Sequence, residues 1–174
     1  MRTLRILPGA ALFALALPAL AADPPKVANS DDVKFVKEAS FGNMTEVALG
    51  RLAVEKSTDA QVKKFGQQMI DDHSKAQKGL RSAATKEGLS TNVPGALDQH
   101  HQEVVDKFRK LSGPEFDREY KEDMLKDHQE DVAAFQKEAS LGSTPVQKYA
   151  ADTVPTLEHH LKMAQEMNGS NASR

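Results

Sequence analysis

The sequence contains no cysteine and no tryptophan, and aromatic residues make up only 5% of its 174 residues. The lack of cysteine excludes disulfide bridges, thiolate ligation of zinc or an iron–sulfur cluster, and a cysteine nucleophile. The scarcity of aromatic side chains argues against a β-sandwich. Alanine, leucine, lysine, glutamate and glutamine recur throughout, and these residues favour helices. We therefore predict an all-α protein, in which any metal ion is held by histidine, carboxylate or methionine side chains.

A long run of apolar residues occurs only at the start of the chain. Two arginines precede the apolar stretch 6–20, which is followed by the small residue Ala21 in an Ala-x-Ala motif. This pattern is typical of a secretory signal peptide, and the stretch is too short and too interrupted by proline for a membrane anchor. We therefore expect residues 1–21 to be removed on export to the periplasm, which leaves a mature protein without a transmembrane segment.

Charge of one sign is not in large excess either. Removing residues 1–21 takes two of the 23 basic residues and none of the 25 acidic ones, so the mature chain carries a formal net charge of −4. Without clustered lysine and arginine the chain lacks the contacts that nucleic-acid phosphates require, so we exclude nucleic acid as a partner. Nucleophile motifs and glycine-rich phosphate loops are missing as well, which argues against a conventional enzyme.

The mature sequence has the spacing of apolar residues that helices require. After a flexible lead-in at 22–30, residues three and four positions apart form apolar stripes in five segments, most of them with start or stop signals at their ends. The predicted helices span residues 31–56, 57–87, 95–111, 112–140 and 144–167, and residues 169–174 form a frayed tail. Four long helices, with one short helix in the crossover between the second and third long ones, predict a four-helix bundle over residues 31–168.

Some local patterns add detail to these helices. Thr144, followed by proline and then by Gln147, is a complete helix-start signature, and Ser112 with Glu115 predicts a second capping box. Glycines at positions 42, 50, 66 and 79 fall on or beside the apolar stripes, which indicates that neighbouring helices approach closely. Pro155 lies inside the last helix and is expected to kink it.

Polar residues interrupt the apolar stripe once in each long helix. These residues are Glu46, His73, His128 and His160, and all four fall in the middle section of the predicted bundle. A bundle core is normally apolar, so an inward-facing histidine or glutamate in every helix predicts a site for a single transition metal ion. Imidazole with carboxylate ligands suits iron, zinc or manganese, whereas imidazole with thioether ligands suits copper. The candidate ions are copper, iron and zinc.

The segments that end at His73 and His128 share a Met-x-x-Asp-His pattern. An aspartate does not face its own neighbour on a helix. We therefore predict crossed hydrogen bonds, between Asp72 and His128 and between Asp127 and His73, that fix the tautomers of metal-bound imidazoles. Three thioethers about one turn from the histidines are further candidate ligands and favour copper; they belong to Met69, Met124 and Met163.

A metal-free interpretation stays open beside this one. A buried histidine bonded to an aspartate on another helix is a common way to satisfy a polar group, and methionine is a common filler of helical cores. The alternative is therefore a structural, interaction or stress-protection protein whose Asp–His pairs only stabilise the core. An oxidoreductase with one metal ion is a third interpretation. His100 and His101 lie in the crossover helix and are expected to be packing or surface residues.

Four stretches of the sequence together resemble a known family. They are FVKEASFGNMTEVALGRLAVEKS, FGQQMIDDHSKA, LSGPEFDREYKEDMLKDHQEDVAAFQKEA and TVPTLEHHLKMAQ. These stretches are similar to ferritin-like exported bacterial proteins of the domain-of-unknown-function family 4142, and the resemblance covers residues 32–167. It implies a ferritin-like helical bundle in the periplasm or at the cell envelope, and it implies no particular activity.

The resemblance does not extend to the di-iron centre of many ferritin-like proteins. Those centres use a Glu-x-x-His motif on two of the helices. The residues three positions before His73, His128, His159 and His160 are isoleucine, leucine, threonine and leucine. The sequence therefore argues against a carboxylate-bridged di-iron centre and against ferroxidase activity.

Overall fold

The computed structural model describes residues 29–169, so the predicted signal peptide, residues 22–28 of the predicted lead-in and residues 170–174 of the predicted tail lie outside the described residues. The described chain is all-helical, and the all-α prediction is confirmed. Its helices are α1 (Ser30–Lys56), α2 (Ala60–Glu87), α3 (Gln99–Lys110), α4 (Gly113–Ser140) and α5 (Pro145–Gly169), and a 3-10 turn at Ser90–Asn92 follows α2. Among these helices none is both long enough and apolar enough to span a membrane.

The helix ends follow the capping residues of the sequence. At the start of α5, Oγ1 of Thr144 accepts a hydrogen bond from the backbone N–H of Gln147, and Oε1 of Gln147 accepts one from the backbone N–H of Thr144. This reciprocal pair is the predicted helix-start signature. At the start of α4 the structure differs, because the side chain of Ser112 makes no capping hydrogen bond. The second predicted capping box is therefore not formed.

The long helices are arranged in two neighbouring pairs, α1 with α2 and α4 with α5; α2 also packs against α5, and α3 packs against α1. The helices α1 and α2 approach each other closely at Gly50 and Gly66. A Cβ atom on Gly50 would lie 2.6 Å from the carbonyl oxygen of Gly66, so only glycine fits there. The helix α5 runs through Pro155 as one element.

The interior consists of two apolar clusters with a polar layer between them. The first cluster includes Phe65, Phe108 and Tyr120, and the second includes Leu80 and Phe135. Along its own helix, each residue of the layer lies between residues of the two clusters. They are buried, and they include Glu46, His73, His128 and His160. The fold therefore brings the four predicted ligands to one level.

Candidate metal site

Three helices bring three histidine rings together in the polar layer. His73 comes from α2, His128 from α4 and His160 from α5, and their exposed fractions are 3%, 0% and 0%. The ring centroids lie 5.8, 5.4 and 5.4 Å apart. One ring nitrogen of each residue lies within 4.8 Å of the others, so all three lie within about 2.8 Å of a common point. Metal–nitrogen bonds are about 2.0–2.1 Å long, so small side-chain shifts would bring all three nitrogens within bonding distance of one ion.

The tautomers of two of these rings follow from their hydrogen bonds. Nδ1 of His128 is 2.9 Å from the carbonyl oxygen of Met124, and Nε2 of His160 is 2.9 Å from Oδ2 of Asp72. A carbonyl and an ionised carboxylate only accept, so these two ring nitrogens are the ones that carry hydrogen. The other nitrogens, Nε2 of His128 and Nδ1 of His160, are buried without a hydrogen-bond partner.

The tautomer of His73 is set by a longer chain of hydrogen bonds. Oγ of Ser40 donates to the carbonyl oxygen of Pro94 over 3.3 Å, and it accepts from Nε2 of Gln77 over 2.8 Å. Oε1 of Gln77 then accepts from Nδ2 of Asn43 over 3.3 Å, which leaves Oδ1 of Asn43 facing Nδ1 of His73 at 3.0 Å. Because the chain ends at a carbonyl, every donor in it points toward Pro94. Nδ1 of His73 therefore donates, and its buried Nε2 has no partner.

All three rings are held in the neutral form that binds metals. Burial lowers the pKa of His73 well below its ordinary value, and the neighbouring His128 and His160 rings lower it further. Burial also lowers the pKa of His128 to about 4, although Asp127 acts in the opposite direction. The pKa of His160 is lowered by burial despite its hydrogen bond to Asp72. At neutral pH the site therefore offers three unprotonated nitrogens with available lone pairs.

This arrangement has the chemistry of a cation site. Three buried ring nitrogens without a hydrogen-bond partner are unfavourable, and a metal ion bound to their lone pairs would satisfy them. The carboxylate of Asp72 behind His160, the amide of Asn43 behind His73 and the carbonyl behind His128 are the kind of partners that orient metal-bound imidazoles. The protein therefore fixes both the direction and the protonation of each ring.

Glu46 belongs to a second group next to the first. One carboxylate oxygen of Glu46, one of Asp127 and a ring nitrogen of His128 lie within 4.8 Å of one another. Glu46 is only 1% exposed, and its Oε2 has no hydrogen-bond partner. Burial raises its pKa well above the usual value, and Asp127 raises it further through repulsion and a hydrogen bond. His128 is therefore common to a three-histidine group and a carboxylate group.

The predicted partners of the aspartates differ from the observed ones. Asp72 is hydrogen-bonded to His160, and not to His128. Asp127 lies beside Glu46 and His128, and the ring nitrogen of His73 bonds to Asn43 instead. The reason is the order of the helices, because α2 packs mainly against α1 and α5 and has little contact with α4. The crossed pairs would have required α2 and α4 to be close neighbours.

The three candidate methionines pack in or against the first apolar cluster, and the crossover histidine His101 packs on an aromatic ring. Met69 and Met124 are buried in the first apolar cluster, and Met163 is partly buried against it. The hydrogen bond from the site to Met124 goes to its backbone carbonyl. His101 stacks on Phe41 with ring centroids 4.9 Å apart, as expected of a packing residue. Sequence analysis missed Asn43, whose only signal is a polar residue one turn before Glu46 on the same buried face.

Comparisons with known proteins agree with the helical architecture. A family model described as domain of unknown function (DUF4142) matches residues 16–167. The crystal structure of a DUF305 fragment from Deinococcus radiodurans is similar with a TM-score of 0.68 and 16% sequence identity, and the match covers 84% of this chain and 99% of that chain. At this identity the similarity shows the fold alone. No curated protein is significantly similar in sequence.

Proposed function

The chain belongs to the family described as domain of unknown function (DUF4142), and we propose that it binds one copper or zinc ion through the imidazoles of His73, His128 and His160. One observation carries this proposal: each ring keeps one buried nitrogen without a partner while its other nitrogen is held in a hydrogen bond. A purely structural histidine core would be expected to pair both nitrogens. Three imidazoles without a carboxylate among them suit copper or zinc better than iron.

The surroundings of the three histidines favour binding over catalysis. The pocket that opens beside this site is lined by Glu46 and Asp127, and none of the three histidines lines it. An organic substrate therefore has no path through that pocket to the ion, whereas a catalytic metal needs an open coordination position. The proposed role is to hold a metal ion and to release it, as a storage or carrier protein does.

The proposal includes a location and a fold type. We propose export to the periplasm on the evidence of the first 21 residues, which have the charge and hydropathy pattern of a signal peptide. We also propose that the four long helices form a ferritin-like four-helix bundle. The pairing of α1 with α2 and of α4 with α5, and the long connection that contains α3, support this arrangement.

Elemental analysis of the untagged protein tests the proposed function. The wild type should contain close to one copper or zinc ion per chain, and the His73→Ala/His128→Ala variant should lose it while circular dichroism shows that the variant is still helical. The matched control is His100→Ala/His159→Ala, which removes two exposed histidines and should leave the metal content unchanged. If the wild type binds neither metal after dialysis against each, the metal-free structural role is the correct one.

A further inference from the structure

A pocket of about 360 Å³ lies beside the three histidines, between α1, α3 and α4. The α4 side of this pocket is acidic, because Asp123 and Asp127 are one helical turn apart and Glu130 follows on the same side. The α1 side contributes Glu46, and Lys126 is the one cation among the residues that line the pocket. Acidic groups in a concave pocket raise the local concentration of cations.

Glu46 gives the acidic pocket a feature that a solvated charge cluster lacks. Glu46 is only 1% exposed, yet it lines the pocket. Its Oε2 has no hydrogen-bond partner. Oγ1 of Thr45, on the same wall, is likewise buried without a partner. Two unpartnered oxygens in the floor of an acidic pocket are the kind of ligands that a divalent cation uses.

The two pocket carboxylates Glu46 and Asp127 lie next to His128, which also belongs to the three-histidine group. Nδ1 of His128 is engaged by the carbonyl of Met124, so Nε2 is the only nitrogen of this ring with a free lone pair. His128 belongs both to the group with Glu46 and Asp127 and to the three-histidine group. One lone pair binds one ion at a time, so an ion on His128 is either on the carboxylate side or on the histidine side.

We infer that this pocket is the route by which the metal ion reaches the three histidines, and that Glu46, Asp127 and His128 form a transient position from which the ion is passed on. The inference rests on the proposed function, because it concerns how the same site is filled. His128 keeps its bond to the ion during the transfer. The two carboxylates are then exchanged for the imidazoles of His73 and His160, and the number of ions per chain stays at one.

Binding kinetics of Co²⁺ with the metal-free full-length protein test this route. Stopped-flow absorption follows the ion into its nitrogen site, and transfer to a chelator in excess gives the rate of release. In Glu46→Gln/Asp127→Asn, both rates should fall roughly tenfold, while the dissociation constant and the stoichiometry of one ion stay close to those of the wild type. Equal slowing of metal binding and metal release indicates that the two residues hold the ion only on its way in and out. Loss of a ligand of the final three-histidine site would instead change the dissociation constant.

The control is Asp71→Asn/Glu158→Gln, which removes two exposed acidic groups on α2 and α5 and should leave both rates unchanged. Asp123 lines the pocket but does not belong to the group of Glu46, Asp127 and His128. The variant Asp123→Asn should therefore slow both rates by a smaller factor, and it replaces the double variant in this test if the double variant does not fold. Unchanged rates in the pocket variants, a weaker affinity with normal rates, or two ions per wild-type chain would each overturn the route. A wild type that binds no Co²⁺, Cu²⁺ or Zn²⁺ would instead overturn the proposed function itself.

Discussion

At the scale of single residues, the direction of the lone pair on His73 depends on groups as far away as the carbonyl of Pro94. Four hydrogen bonds in series connect them, and between Pro94 and the His73 ring only the Ser40 hydroxyl could donate or accept with the same atom. The amide of Asn43 is the last group of this chain and the one that contacts the His73 ring. The metal affinity of the site should therefore depend on Asn43 although this residue is not a ligand.

Replacing Asn43→Leu should weaken metal binding by about 10- to 100-fold. The leucine removes the acceptor that holds the hydrogen on Nδ1 of His73, so Nε2 is no longer kept free for the ion. Competition with a chelator of known affinity measures the effect. Asn168→Leu is the matched control, because it removes a partly buried bond to the backbone of Lys121 outside the polar layer. If both variants bind metal as the wild type does, the tautomer of His73 does not matter for binding.

The positions of the candidate ligands could be predicted from the sequence, but their partners could not. A polar residue on an apolar stripe is visible in the sequence, and this signal found Glu46 and the three histidines of the layer. The partner of Asp72 depends on which helix lies beside α2, and no local pattern encodes that choice. Asn43 was missed because an asparagine near a helix face is not distinguished from an ordinary surface residue by its spacing alone.

At the scale of the helices, the approach of α1 to α2 depends on two glycines without side chains. A Cβ on Gly66 would lie 2.7 Å from Cβ of Ala53 and 2.8 Å from the carbonyl oxygen of Gly50. A backbone atom cannot rotate away from such a contact, so the helices would have to separate. Since α1 supplies Asn43 and Glu46 and α2 supplies His73, the crossing also sets the distance between the two groups of the site.

Gly50→Ala should therefore lower the free energy of unfolding by about 1–3 kcal/mol, which is the usual effect of an overpacked contact. Gly42→Ala on the same helix is the control. A Cβ at that position meets nothing within 4 Å, so the better helix propensity of alanine should raise stability by about 0.5–1 kcal/mol. Urea denaturation of the metal-free proteins measures both changes. Equal effects of the two substitutions would show that the crossing tolerates a wider separation.

The helix bounds were predictable to within a few residues because capping residues and glycines mark them in the chain. The signature at Thr144 and Gln147 places the start of α5 correctly, and Gly88 ends α2 with a positive φ of 81°. Ser112 shows the limit of this reasoning, since it occupies the cap position of α4 without making the capping hydrogen bond. A capping pattern fixes where a helix begins, and the rotamer of the cap depends on tertiary packing.

At the scale of the whole molecule, polar groups are buried at two levels with opposite responses to pH. The three histidines of the layer have lowered pKa values. As the pH falls below the ordinary pKa of histidine, the unfolded chain therefore takes up protons that the folded chain does not, and the metal-free fold loses stability. At one end, where α1, α2, α4 and α5 meet, carboxyl groups are buried together. Burial and a hydrogen bond to Asp32 raise the pKa of Glu138 to about 7, and burial and Asp32 also raise that of Glu87.

The raised pKa of Glu138 determines the sign of its effect on stability. Between the ordinary value of 4.5 and about 7, the folded chain holds a proton at Glu138 that the unfolded chain has lost. This contribution is fully present below pH 4.5, and it is lost as the pH rises through about 7. Above that pH the ionised group lies buried against Asp32, with Asp31 and Glu87 also nearby.

Glu138→Gln should remove this pH dependence because glutamine keeps the shape and carries no charge. We expect the variant to gain stability relative to the wild type by on the order of 1 kcal/mol between pH 5.5 and pH 8.5, after allowance for solvent screening. Urea denaturation of the metal-free proteins at the two pH values measures the difference, and the exposed Glu166→Gln is the control whose curve should run parallel to that of the wild type. A parallel curve for Glu138→Gln would contradict the raised pKa of Glu138.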